Sequence, residues 1–594
     1  MKRNNLWKRV MAVAMAAGMT VSLAACGGSS AAGTASGEAA STAANTDTSQ
    51  TDFDVMSGIS ALSGGYDDNT VLKSMEDTAG IKIKWETQSD SIGEQVNVRI
   101  AGGDLPDAFQ GVGFTNYELT NYGDDGTFIN LDPYINDTYM PNLSKILKEN
   151  PKIRTAITMS DGGIYGLPSA EQMGTSAVGD SNDYSIFTIP QFSMINKAWL
   201  DKLGLPVPTT LEELHDDLQA FKDNDMSHTY YGNDAGTTIP MSTGFDQWCW
   251  GQNIFYAGFG FTNWPNDVCS DLELNDDGTV DFVCAKDNYR KALTYFHNWY
   301  AEGLMDQEMF SQDTTQLMAK CSQGYVGVAT WWYIEELMAD HAADYVYLPI
   351  LNGPDGTHNV TIRTGGGTSS GNLSITSACK SPASLLKFYD QWYVPENTMQ
   401  LQYGPEDVYF TGKDANGLWE SITDEESKAK YGKSAGELKS QYEVAGPKLI
   451  LSDYYNTTFK MEDRALQRLT DLKNIFMPSV TSTAVYPIDC VYTSDELSTI
   501  DQYKTDFENT VSEQEGLWLK EGGPSDDEWN AYVAKLKDSC GMDALQKAYQ
   551  AAYDRYKTSN EDAGSTVSTT SAAGTASTAG TASTASAAAS KAAS

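Results

Sequence analysis

Asn69-Thr-Val-Leu-Lys-Ser-Met-Glu-Asp-Thr-Ala-Gly80, followed at once by Ile81-Lys-Ile-Lys-Trp-Glu86, is the stretch on which the fold turns. In its first half Val71, Leu72, Met75 and Ala79 share one helical face, and Gly80 supplies the stop. In its second half Ile81, Ile83 and Trp85 alternate with Lys82, Lys84 and Glu86, the period of a half-buried strand ending near Asp90. A helix that feeds directly into a strand predicts an α/β lobe.

The same signals recur outward along the chain. Thr210-Leu-Glu-Glu213 is a capping box opening a helix whose apolar face is Leu211, Leu214, Leu218 and Phe221. Near Asp287 a helix begins with Tyr289, Ala292, Leu293, Phe296 and Tyr300 on one face, and Gly303 closes it. Leu274 to Phe282 reads as a hairpin turning at Asp277-Gly278. Ser381-Pro382 opens a helix carrying Leu385, Leu386, Phe388 and Tyr389. Ser525-Asp-Asp-Glu528 caps one with Trp529, Tyr532, Val533 and Leu536. A last helix presents Leu545, Ala548, Tyr549, Ala552 and Tyr556. The chain is therefore mixed α and β, with helices gathered toward its C-terminal part.

The two ends differ from this middle. Residues 1–25 begin with Lys2, Arg3, Lys8 and Arg9, continue through an apolar run from Val10 to Val21, and end in Leu23-Ala24-Ala25 before Cys26. A charged start, a short apolar core and small residues at the cut describe a secretory signal peptide. The cysteine that follows resembles the lipobox of bacterial lipoproteins, which implies acylation of Cys26 and a lipid anchor on the outer face of the cell membrane. Several acyl chains give the stable anchoring that one chain cannot. Residues 26–51 and 561–594 are dominated by Gly, Ala, Ser and Thr and lack apolar bulk, so they read as a spacer and a low-complexity tail.

Net charge is −40, a field that repels nucleic acid and disfavours a polyanionic ligand. Besides Cys26 there are seven cysteines, an odd number without CxxC spacing. A disulfide among Cys249, Cys269 and Cys284 and buried free thiols are both compatible with that count. Beyond the signal peptide no long apolar run suggests a membrane span.

Six segments in order resemble the family 1 extracellular solute-binding proteins of ABC importers, nearest the Gram-positive oligosaccharide branch. They are Ala101-Gly-Gly-Asp-Leu-Pro-Asp-Ala-Phe109, Gly163-Ile-Tyr-Gly-Leu-Pro168, Ile195 to Leu205 with Val207-Pro-Thr-Thr210, Tyr325-Val-Gly-Val-Ala-Thr-Trp331, Leu373 to Tyr389, and Gln546 to Tyr556. The resemblance implies a two-lobed periplasmic-binding-protein-like α/β fold with a hinge, an interlobe cleft and extra C-terminal helices. It divides the chain into a first lobe at 52–165 and 326–385 and a second at 166–325 and 386–560. It also implies an oligosaccharide or other small solute as ligand, ABC permease subunits as partners, a monomer, and no cofactor. Cysteine-bearing, tryptophan-rich insertions around 245–270 depart from the family pattern and point to an unusual ligand.

Sugars present apolar C–H faces and hydroxyl edges, so aromatic platforms beside carboxylates suit them. Asp246-Gln-Trp-Cys-Trp250 offers Trp248 and Trp250; Trp331-Trp332, followed by Glu335, offers a second pair. Adjacent strand residues point to opposite faces, so one of Trp331 and Trp332 can reach a cleft while the other fills the core. Asp90 and Glu171, beside the first strand and the first crossing, complete the candidates; each has the plainer reading of a loop acid or cap. Trp264, Trp392, Trp419 and Trp518 read as packing.

A surface glycosidase, a polysaccharide adhesin and a peptide receptor are the alternatives. No motif fixes a carboxylate pair, and HExxH and GxSxG are absent. The five histidines lack ligand spacing. Asp276-Asp277-Gly278 and Asp414-Ala-Asn416-Gly417 read as turns rather than calcium loops. Gly365-Gly366-Gly367 lacks a following Lys-Ser/Thr, which makes it a hinge or cleft edge rather than a phosphate loop.

Overall fold

The structure is a computed structural model describing residues 43–571, apart from 61, 90–91, 265–267, 364–366, 481, 483 and 488–489, with side chains described through residue 558. The signal peptide, Cys26, Asp90 and Gly365-Gly366 lie outside the described residues.

The helix–strand unit forms as its sequence predicts. Asn69 caps the helix Thr70–Ala79 by accepting from the amides of Val71 and Leu72, and Gly80 ends it in the left-handed region at φ 70°. Lys82–Gln88 then pairs in parallel with Asp52–Gly58, which pairs in parallel with Ala108–Gln110. Leu373–Ile375 closes that sheet as an antiparallel edge. Beneath it lie Val55, Leu72, Met75, Leu385, Phe388 and Tyr389.

A second sheet is built in the order Tyr345–Tyr347, Phe192–Asn196, Val326–Trp331, Ile239–Ser242. Its core joins Phe192, Leu214, Phe221, Leu293 and Phe296 to Phe507, Trp518, Leu536, Leu545 and Tyr549 from the C-terminal helices. A third cluster, with Met399, Tyr403, Phe410, Trp419, Phe459 and Leu469, forms beside these two.

This placement corrects the expected lobe boundaries. Val326–Trp331 lies inside the second sheet, between Phe192–Asn196 and Ile239–Ser242, instead of returning to the first. All six of its residues are buried, so the strand is apolar on both faces and its sequence carries no mark of which sheet it joins. Likewise Trp392, Leu401, Val444 and Leu449 belong to the first core, not the second.

Three passages connect the sheets and run side by side. Ser169 and Ser369 exchange backbone hydrogen bonds of 2.7 and 2.8 Å. Ala170–Glu171 pairs in parallel with Leu449–Ile450. Elsewhere, the helix Asn116–Asp124, which packs with Met56 and Phe109 on the opposite face of the first sheet, meets the long helix Ser494–Glu521 of the second core.

Among the described residues no helix is long and apolar enough to cross a membrane. Among the described residues Cys249, Cys269, Cys284, Cys321, Cys379 and Cys540 are free thiols, and of these only Cys249 is not buried.

The long helix is tied inward by Glu515, a buried acid. Its carboxylate accepts from the phenols of Tyr256 at 2.7 Å and Tyr289 at 2.6 Å. Burial, and after it the charge of Asp246, pushes the Glu515 carboxyl up to about 7. The folded chain therefore holds this proton over a range where the unfolded chain has lost it. Stability falls as pH rises from the ordinary value of 4.5 through about 7. Urea unfolding at pH 5 and pH 8 should show the wild type losing on the order of 2 kcal/mol more between the two than Glu515→Gln does. Identical losses in the two proteins would remove Glu515 from the pH dependence.

Candidate ligand-binding site

The tryptophan segment folds as a tight loop after the strand Ile239–Ser242. The Gly244 amide donates to the Trp250 carbonyl at 2.7 Å, closing it. A Cβ on Gly244 would sit 2.5 Å from the Trp250 ring, so no larger residue fits there. The Gln191 side chain holds the loop from below, donating to Gln247 O at 2.9 Å and accepting from the Ile254 amide at 3.0 Å. Asp246 turns with φ 51° and accepts from Ser512 Oγ at 2.9 Å. Consequently Trp250 points into the core, while Trp248 is half-buried.

The second pair divides in the same way. Trp331 ends its strand inside the core, and Trp332, just past the end, is half-buried. One tryptophan from each pair meets the other: Trp248 and Trp332 stack at 5.1 Å and 30°. Phe187 joins them at 5.6 Å from Trp332 and 6.5 Å from Trp248. Behind Trp332 lies the fully buried guanidinium of Arg468, 3.4 Å from the indole centroid.

The acids are dispersed around this stack. Glu171 is half-buried at the crossing, where one carboxylate oxygen accepts from Tyr455 at 3.2 Å and Tyr403 at 3.5 Å. The buried Lys448 next to it lies 3.6 Å from Glu443, and desolvation lowers its ammonium to about 8. Glu335 is exposed in the first turn of the helix Ile334–Met338. Trp264, Trp392, Trp419 and Trp518 are all buried. Among the described residues no group of three His, Cys, Asp or Glu is placed to hold a metal ion. Both acidic turns are local Asx-type closures: Asp277 accepts from the Thr279 amide at 2.9 Å and Asp414 from the Asn416 amide at 2.8 Å.

No family model matches the chain. Over 491 residues, 82% of this chain and 87% of the relative, it is 30% identical to the fructooligosaccharide ABC transporter substrate-binding protein FusA of Streptococcus pneumoniae serotype 4. The chain belongs to the substrate-binding proteins of ABC transporters. The solved structure of S. pneumoniae FusA with kestose matches at TM-score 0.75 and 29% identity, covering 86% of this chain and all (100%) of that one. The FusA EF-hand mutant with fructo-nystose matches over the same shares at TM-score 0.75 and 28% identity. Alginate-binding protein AlgQ2 without calcium ion shares the fold at TM-score 0.63 and 19% identity. The chain has the two-lobed α/β fold of these receptors. The relatives are substrate-binding proteins and not enzymes, which removes the glycosidase alternative.

Two members of the aromatic cluster escape a reading for tryptophans. Phe187 lies in an irregular stretch with no periodic pattern. Arg468 did leave a signal, since it shares the buried face of its helix with Ala465 and Leu469, where an apolar residue belongs.

The division within each pair has a measurable consequence. Trp250→Ala and Trp331→Ala should each cost about 3–5 kcal/mol of stability in urea unfolding, as core truncations do. Trp248→Ala, half-exposed, should cost less than about half of that. Equal losses at Trp248 and Trp250 would contradict the division.

Proposed function

We propose that this chain is a cell-surface receptor that captures an oligosaccharide between its lobes and delivers it to the membrane permease of an ABC importer. One observation carries the reading: the chain is 30% identical over 491 residues to a fructooligosaccharide-binding protein. That relative's solved structures hold kestose and fructo-nystose on the same fold. Short fructooligosaccharides are therefore the first ligands to test.

The stack of Trp248, Trp332 and Phe187 supports the same reading. Half-buried aromatic faces match the apolar C–H faces of sugar rings, which gain by leaving water against them. Asp246, Glu171 and Glu335, with Asp90, supply acceptors for sugar hydroxyls. Trp250 and Trp331 serve the site as its packing. A net charge of −40 favours a neutral sugar over a polyanionic one.

The leader and Cys26 put the receptor on the outer face of the cell membrane, held by lipid, with residues 26–51 as the spacer. The passages at Ser169–Glu171, Ser369 and Leu449–Ile450 serve as the hinge, which needs only a few residues that absorb rotation.

Tryptophan fluorescence titration of the mature chain against kestose, nystose and an unrelated oligosaccharide panel tests the proposal. Saturable binding without release of monosaccharide is expected, and Trp248→Ala should weaken it about tenfold or more. Failure of every sugar to bind, or hydrolysis of any, would overturn it. Separately, Cys26→Ala should move the protein from the membrane fraction to the medium; an unchanged partition would exclude the lipid anchor.

A further inference from the structure

We infer that Arg468 is the positioning residue of the aromatic platform, fixing the plane of Trp332 and, through it, of Trp248. The inference deepens the functional reading above and rests on it for the identity of the ligand.

Arg468 stands on the helix Asp463–Asp471 and is wholly buried. Its guanidinium is layered between two rings, 3.4 Å from the Trp332 centroid and 3.8 Å from that of Phe192. Nη1 donates to the carbonyl of Trp332 itself. Nη2 donates to the carbonyls of Ile189 at 2.9 Å and Pro190 at 3.2 Å. No carboxylate forms an ion pair with it among the described residues.

Burying a cation without a carboxylate partner is costly, and an apolar side chain at this helix position would avoid the cost. What the guanidinium does that an apolar residue cannot is hold three carbonyls while lying flat against two rings. Its planar fork of donors is rigid, so fixing the carbonyls also fixes the plane presented to the indole. Cation–π attraction then holds Trp332 against that plane. A lysine keeps the charge but has neither the plane nor the fork.

The carbonyls come from the two segments that frame the site. Ile189 and Pro190 lie between the first passage and the strand Phe192–Asn196, and Trp332 follows Val326–Trp331. With one face of Trp332 covered by Arg468, Trp248 and Phe187 are left its other face and its edges. The order is then Phe192, Arg468, Trp332, Trp248, from the core outward. Arg468 has no surface for a sugar to touch, so it acts through Trp332.

The test is a spectroscopic one joined to a binding cycle. Two indoles 5.1 Å apart and inclined by 30° give an exciton couplet in circular dichroism, read without ligand. Trp248→Phe and Trp332→Phe, each abolishing the couplet, assign it to this pair. Arg468→Lys should then lose more than half of the couplet while keeping the helical signal, and weaken kestose binding about tenfold. In the Trp332→Phe background the same substitution should cost less than about threefold, because its effect passes through that ring. A folded Arg468→Lys with the full couplet and unchanged affinity would overturn the inference. So would an undiminished penalty in the Trp332→Phe background.

If Arg468→Lys does not fold, Phe192→Leu takes its place, since it frees one face of the guanidinium and keeps its three carbonyl bonds. A weakened couplet is expected there, and an intact one would overturn the inference. Should kestose fail to bind the wild type, that failure counts against the functional reading, and the ligand-free couplet still decides the role of Arg468.

Discussion

Backbone pairing between the three passages is the constraint on which the molecule depends. Each sheet has its own core, and the chain must travel between them repeatedly. At the passage the polar backbone has no sheet interior to satisfy it, and buried peptide groups need partners. The passages solve this together: Ser169 with Ser369, and Ala170–Glu171 with Leu449–Ile450. The amides of Ala170 and Gln172 donate to Lys448 O and Ile450 O, each at 2.8 Å. Glu171 and Lys448 belong to this junction, and the two phenols on Glu171 bind it to the third cluster. Its carboxylate thus has a structural engagement besides any contact with ligand.

Much of the architecture was legible because local signals agree with the packing. Asn69 and Gly80, Thr210, and Ser525 with Glu528 cap the helices their spacing announces, although the Glu213 carboxylate accepts from the Thr209 amide and does not complete a capping box with Thr210. Leu272–Leu274 and Val280–Phe282 pair across the Asp277-Gly278 turn. Sheet membership was not legible for Val326–Trp331, because a strand buried on both faces has no alternation to betray its neighbours. The third cluster also escaped, since it assembles Ile186 with residues of 399–469 and no local pattern spans such a separation.

The candidate site was legible to the level of residue pairs and no further. The rule that neighbours in an extended segment face opposite ways predicts one core and one outward tryptophan at Trp331-Trp332. It does not choose between them, nor does it say that the outward member meets one from Trp248 and Trp250. That meeting depends on tertiary placement of a loop whose shape is set by Gly244 and Gln191, 53 residues apart in sequence. Arg468 shows the converse: a charge on an apolar helix face is a local conflict, and such conflicts mark sites where something other than burial decides the residue.

The extra C-terminal helices acquire a role from the same geometry. Ser494–Glu521 runs behind the insertion that carries Trp248 and contacts it repeatedly through polar side chains. Lys504 donates to Val268 O at 2.8 Å, Glu508 accepts from the Ser270 amide at 2.9 Å, and Ser512 donates to Asp246 at 2.9 Å. Glu515 takes the Tyr256 and Tyr289 phenols. Successive partners lie three or four residues apart, so one helix face serves as a splint for a long irregular segment. An unsupported loop of that length would lose its shape to chain entropy, and with it the position of Trp248. The stack is therefore held from two directions, by Arg468 behind Trp332 and by this helix behind the loop of Trp248. The helix also meets Asn116–Asp124, which packs on the opposite face of the first sheet with Met56 and Phe109, so the same element touches both sheets' surroundings.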